Sequence, residues 1–215
     1  MIQKTGLASN SETVVEGGTV GAARNLIVAR GLPYSATGTT GPIAAALAAN
    51  SAIFAMRLDP GSTVNAFVER VRIQFTCLVA FTVPLTAGRR LELYRGSGAA
   101  AIGGTAIAAA HRKRSSQGAS QFDAAEGGDI RVATTGTLTQ TGITYEVPPI
   151  RATSLVHVGN AGNFLDTIWE FAATECAPIQ LEPGQVLAIR NPVAMDAAGT
   201  WTATVNVDWH EAAAI

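Results

Sequence analysis

The chain has 215 residues, a formal net charge of −1, and 14% charged against 47% hydrophobic residues. That balance excludes a dedicated nucleic-acid or membrane-surface binder, whose basic footprint would show as a strong positive excess. So few charges on so apolar a chain point to surface buried against other subunits, the plainer reading being a surface rich in Ala, Thr and Gly.

Residues 1–49 differ in character from the rest of the chain. Residues 1–6 lack the apolar core of a signal peptide, and no apolar run approaches the ~20 residues of a membrane span, so the expected place of synthesis and assembly is a cytoplasm. Residues 16–21 and 35–41 have turn composition with little periodicity, and only residues 25–30 look strand-like. Residues 42–50 read as two turns of helix, with Pro42 at the first helical position and Asn50 near the C-cap. The expectation is an N-terminal arm over 1–49, largely irregular with one short helix, resting on a neighbouring subunit.

From residue 51 the pattern is β. A strand over 51–58 ends at Asp59, Pro60 and Gly61. A long one follows over 67–77, with Phe67, Val71, Ile73, Phe75 and Cys77 inward and Arg70, Arg72, Gln74 and Thr76 outward. Shorter candidates lie at 90–95, 130–134, 143–147, 153–158 and 167–173. The stretch 96–128 interrupts them, and a connection that long is usually functional or interfacial. Near the end, residues 178–192 read as strand, Pro-Gly turn and strand. Residues 199–211 then alternate with period two: Trp201, Ala203, Val205, Val207 and Trp209 on one face, Thr202, Thr204, Asn206, Asp208 and His210 on the other. Eight or nine strands divided by Gly, Pro and Asn turns give an all-β, jelly-roll-like β-sandwich over 50–215, with an extended N-terminal arm.

The search for chemistry returns little. There is no GxSxG elbow, P-loop, HExxH or GxGxxG. His111, His157 and His210 are far apart and none belongs to a His-x-His pair, so structural or exposed roles outweigh metal binding. Asp208 and His210, with Glu211 beside them, would supply two ligands of a metal site; the structural reading is the polar outer face of the last strand. The run His111, Arg112, Lys113, Arg114 suits phosphate or acidic partners, or is a solvated loop tip. Of the 15 basic residues only Lys4 and Lys113 are lysines, a bias suited to bidentate pairing, and Arg70 and Arg72 share one strand face. Glu170 and Glu175 fall on opposite faces and form no acid–base pair. Trp169, Trp201 and Trp209 are possible sugar platforms but follow the apolar alternation of a core. Cys77 and Cys176 have neither disulfide-framework nor zinc spacing. No catalytic, cofactor or metal residues are assigned, and the expectation is a protein that is not an enzyme.

Several features coincide: an Ala-rich lead-in ending Leu47, Ala48, Ala49, Asn50, Ser51; then Ile53, Phe54, Ala55, Met56, Arg57; a Leu181, Glu182, Pro183, Gly184, Gln185 turn; and a last strand finishing Val207, Asp208, Trp209, His210, Glu211. Together they resemble virion structural proteins of tailed bacteriophages, of the capsid decoration or cement type, over about residues 44–211. The resemblance implies a jelly roll that sits as a homotrimer on the outer capsid, bridging neighbouring major capsid proteins, with no catalytic residues, no cofactor, no membrane and no specific nucleic acid. Two rivals stand beside it: a tail-associated receptor- or carbohydrate-binding sandwich with exposed aromatics around Trp169, and a metal-dependent jelly-roll enzyme using Asp208 and His210.

Overall fold

A computed structural model describes residues 5–6, 11–16, 24–29, 32–43, 46–81, 89–113, 117–155, 164–171 and 177–213. Strands β1 (Thr5–Gly6), β2 (Ser11–Glu16) and β3 (Arg24–Ala29) form a small antiparallel sheet in that order, with Thr13 opposite Thr5 and Ile27. The remaining strands form two antiparallel sheets that share one hydrophobic core.

One sheet is built on β4 (Leu32–Thr39), β6 (Val64–Val79), β13 (Phe164–Glu170) and β16 (Thr200–Ala213), in the spatial order β4-β16-β6-β13. The other is built on β5 (Ser51–Arg57), β7 (Arg89–Gly98), β12 (Arg151–Leu155) and β15 (Gln185–Asn191), in the order β5-β15-β7-β12. The pairing is nested: β4 with β16, β5 with β15, β6 with β13, β7 with β12. An antiparallel ribbon wound so that its outermost strands meet in one sheet and the next pair in the other is a jelly roll. The short β14 (Ile179–Leu181) adds to β6 beside β13.

The long connection after β7 is not a free loop. It supplies β8 (Thr105–Ala106), β9 (His111–Arg112), a 3-10 turn (Ala124–Glu126), β10 (Asp129–Val132) and β11 (Ile143–Tyr145). β9 lines the outer edge of β4; β10 joins β5 and carries β8; β11 pairs with β7.

Two expectations over residues 32–50 change. The segment with turn composition is β4, paired with β16 from Thr204 opposite Thr39 to Glu211 opposite Leu32. Its small residues are a packing requirement. A Cβ on Gly38 would lie 2.6 Å from Val132 Cγ1 and 2.7 Å from Ile107 Cδ1, so the chain passes close under the opposite sheet. Among the described residues of 42–50 there is no helix: the Ile43 N–H donates to the Trp201 carbonyl at 2.7 Å, and Ala46 and Asn50 have φ of 61° and 62°. Tertiary pairing overrides the helix preference of the alanines.

The sheets are buried differently. Along β16, inward residues alternate with half-buried outward ones as far as Val207, whereas β5 from Ser51 to Met56 and β15 from Val186 to Ile189 are buried without a break. A strand with cover on both faces reads as a continuous apolar run. Some of that cover comes from the long connection, where Leu138 bridges Ala52 and Arg190 lies over the rings of Tyr94 and Tyr145, 5.0 and 4.2 Å from their centroids.

Two bulges in β6 mark the β6–β16 pair: Leu78 and Glu69 have no residue opposite them. Each extra residue reverses the strand's parity. Phe67, expected in the core, therefore lies outside, stacked on His210 with centroids 5.0 Å apart, while Val68 points in. The interior is anchored by Trp201 against Phe75, and by Trp209 between Tyr34 and Phe122.

Candidate functional site

The outward face of the β4-β16-β6-β13 sheet carries the polar residues singled out in the sequence. Its side chains form a ladder across the strands. Thr39 and Thr204 share a hydrogen bond of 2.9 Å, and Asn206 Nδ2 donates to Thr37 Oγ1 at 2.6 Å. Arg72 pairs with Asp166 through Nε and Nη2, and Arg70 with Asp208 at 2.6 Å. The Arg72 guanidinium holds the Asp166 carboxyl below the usual carboxylate range, chiefly by hydrogen bonding. Ile168 is a half-exposed large apolar residue on this face.

Two depressions mark the face. The larger, about 440 Å3, is lined by Pro33, Tyr34, Glu69, Arg70, Lys113, Glu170, Asp208 and Trp209. The smaller, about 300 Å3, shares Arg70 and adds Arg72, Ile168 and Asn206 among others. Asp208 is the hub of the larger groove. Its Oδ2 accepts from Arg70 and its Oδ1 lies 3.0 Å from Lys113 Nζ.

The basic run is thereby explained in part. Lys113 fastens β9 to β16 through Asp208, Arg112 Nη1 donates to the Gln117 carbonyl at 3.1 Å, and His111 is exposed beside Ser35. Arg114, His157, Glu175 and Cys176 lie outside the described residues. Cys77 is buried and free, its thiol pushed up by desolvation and its Sγ 3.2 Å from the Val79 carbonyl.

The metal reading of the last strand does not fit this geometry. Asp208 is engaged by two cations, and His210 Nδ1 lies 3.0 Å from Glu69 Oε1 with its ring on Phe67. Among the described residues no group of three or more His, Cys, Asp or Glu side chains could hold a metal ion. Glu211 is not beside them at all. It shares the inward parity of Trp209 and is only 4% exposed, accepting from Ser120 Oγ at 2.6 Å, Trp209 Nε1 at 3.1 Å and the Gln121 N–H. Counting two from Trp209 would have placed it there. The tryptophans are core residues: Trp201 and Trp209 are fully buried and Trp169 is 7% exposed, so none is a platform for a sugar ring.

What sequence reasoning missed are pairs that only register creates. Lys113 and Asp208 are 95 positions apart, and Glu69 reaches His210 because the bulge turns it outward. Chemically, the face offers a largely pre-paired polar surface with exposed carboxylates at Glu69 and Glu170 and half-exposed guanidinium groups at Arg70 and Arg72. No helix among the described residues is long and apolar enough to cross a membrane. Comparison with protein-family models, curated proteins and solved structures finds no match to this chain.

Proposed function

We propose that this chain is a structural virion protein of a tailed bacteriophage, which stabilises the capsid by bridging neighbouring major capsid proteins as a homotrimer on the outer surface. The observation that carries the reading is the open β4-β16-β6-β13 face. It is broad, Arg70 and Arg72 on it are paired with Asp208 and Asp166, and behind it stand β5 and β15, buried along most of their length. Such a face costs little conformational entropy on docking, because its side chains are already held in place. Repetition by symmetry turns many modest contacts into firm attachment. The resemblance of the lead-in, the Pro183–Gly184 turn and the last strand to decoration proteins supports the same reading. The carbohydrate-binding alternative relied on exposed aromatics around Trp169, and that residue is buried.

The test is co-expression with the major capsid protein of the same genome, followed by sedimentation of assembled particles. The expected result is co-sedimentation at a fixed ratio, with mass photometry of the free protein giving three times the 22.1 kDa chain mass. A free monomer that stays at the top of the gradient would overturn the proposal.

A further inference from the structure

The larger groove on the open face is lined by three carboxylates, Glu69, Glu170 and Asp208, against two cations, Arg70 and Lys113. Both cations are engaged by Asp208. Arg70 Nε donates to Oδ2 at 2.8 Å with Nη2 2.6 Å from the same oxygen, and Lys113 Nζ lies 3.0 Å from Oδ1. Arg72, two residues along β6, is held by Asp166 in the same side-on manner. The remaining carboxylates are left over. Glu170 stands opposite Arg70 in the register, yet it is exposed and makes no ion pair among the described residues. Glu69 meets the His210 imidazole through one of its two oxygens.

Backbone geometry brings these two carboxylates together. The bulge turns Glu69 outward beside Arg70, and the Phe171 N–H donates to the Glu69 carbonyl at 2.7 Å, so β13 delivers Glu170 to the same end of the groove. The floor is main chain: Tyr34 and Trp209 face each other across β4 and β16, and at 1% exposure both rings point into the core. Pro33, half-buried, supplies an apolar wall.

An anion entering this groove would meet carboxylates whose neighbouring cations are already taken. A metal ion needs a tighter set of ligands, and among the described residues no group of three or more could hold one. The set suits a larger cation with several donors spread in one plane and an apolar stem, which is a guanidinium on its methylene chain. We propose that the groove beside Asp208 receives an arginine side chain from a partner protein, the guanidinium lying between Glu69 and Glu170 and the methylenes along Pro33. Charge complementarity of this kind sets register and speeds encounter more than it adds affinity. The site stands whether or not that partner is a capsid protein.

The test is an NMR titration of the full chain with the tripeptide Gly-Arg-Gly, capped at both ends so that the guanidinium is its one charge. The same peptide carrying citrulline keeps the shape and loses the charge. The arginine peptide should give saturable shifts of the Glu69, Arg70, Glu170 and Asp208 amides, weakening with salt, while Ile53 in the other sheet does not move. The citrulline peptide should give none. In Glu69→Gln and in Glu170→Gln the dissociation constant should rise about two- to fivefold, the range of an exposed ion pair. An equal response to the two peptides, shifts that do not saturate or that centre elsewhere, or unchanged constants in both variants each overturns the site. Should a variant not fold, the comparison of the two peptides on the wild type decides alone. No capsid protein is present in the titration, so its failure and that of co-sedimentation are separate results.

Discussion

At Gly41 a Cβ would sit 2.3 Å from the Thr134 carbonyl oxygen, a backbone atom with nowhere to swing. Gly41→Ala should therefore destabilise the fold by about 1–3 kcal/mol, read as a lower urea midpoint with an unchanged slope. Gly136, with open space around its Cβ position, is the control, and its alanine variant should stay within about 0.5 kcal/mol of wild type. The same residue-level reasoning applies to Trp169, which packs on β13 opposite Val71. Trp169→Ala should cost about 3–5 kcal/mol of unfolding free energy, as expected of a large core side chain. A variant of wild-type stability that had lost glycan binding instead would return Trp169 to the surface.

At the scale of elements, β4 changes how the N-terminal region must be cut. Deleting residues 1–30 leaves all eight pairs between β4 and β16 in place, and the product should unfold in one cooperative thermal transition. Deleting residues 1–40 removes β4 and bares the edge of β16, so that product should aggregate or lose near-UV circular dichroism. Equal behaviour of the two truncations would contradict the strand order. The last strand was readable from sequence because one wet and one dry face impose period two. β5 and β15 were readable as strands from their apolar runs and turn residues. β4 was not, because its Ser, Ala, Thr and Gly residues answer to the nearness of the opposite sheet, which no local pattern records. The bulges were equally hidden, since register is a property of two strands and is not written in either. Hence unbroken alternation along β6 puts Phe67 inward whereas the bulge at Glu69 turns it out, and the groove around Asp208 is not legible from its separate residues.

For the molecule as a whole, the asymmetry between the sheets decides where surface substitutions matter. Ile168 stands half exposed on the open face, and Ile168→Arg should leave stability within about 0.5 kcal/mol of wild type while weakening the co-sedimentation with capsids that the proposed function requires. Unchanged occupancy on the particle would move the contact off this face. The nested winding also has a consequence for how the chain is made. β5 is apolar on both faces, and its partner on one side, β15, lies some 130 residues downstream. A ribosome adding about 5–20 residues per second leaves Ile53, Phe54 and Met56 without that neighbour for many seconds. During that interval an uncharged β-prone segment is open to chance pairing with other nascent chains. Chaperone supply and translation speed, more than the stability of the finished sandwich, should therefore set the yield of soluble protein.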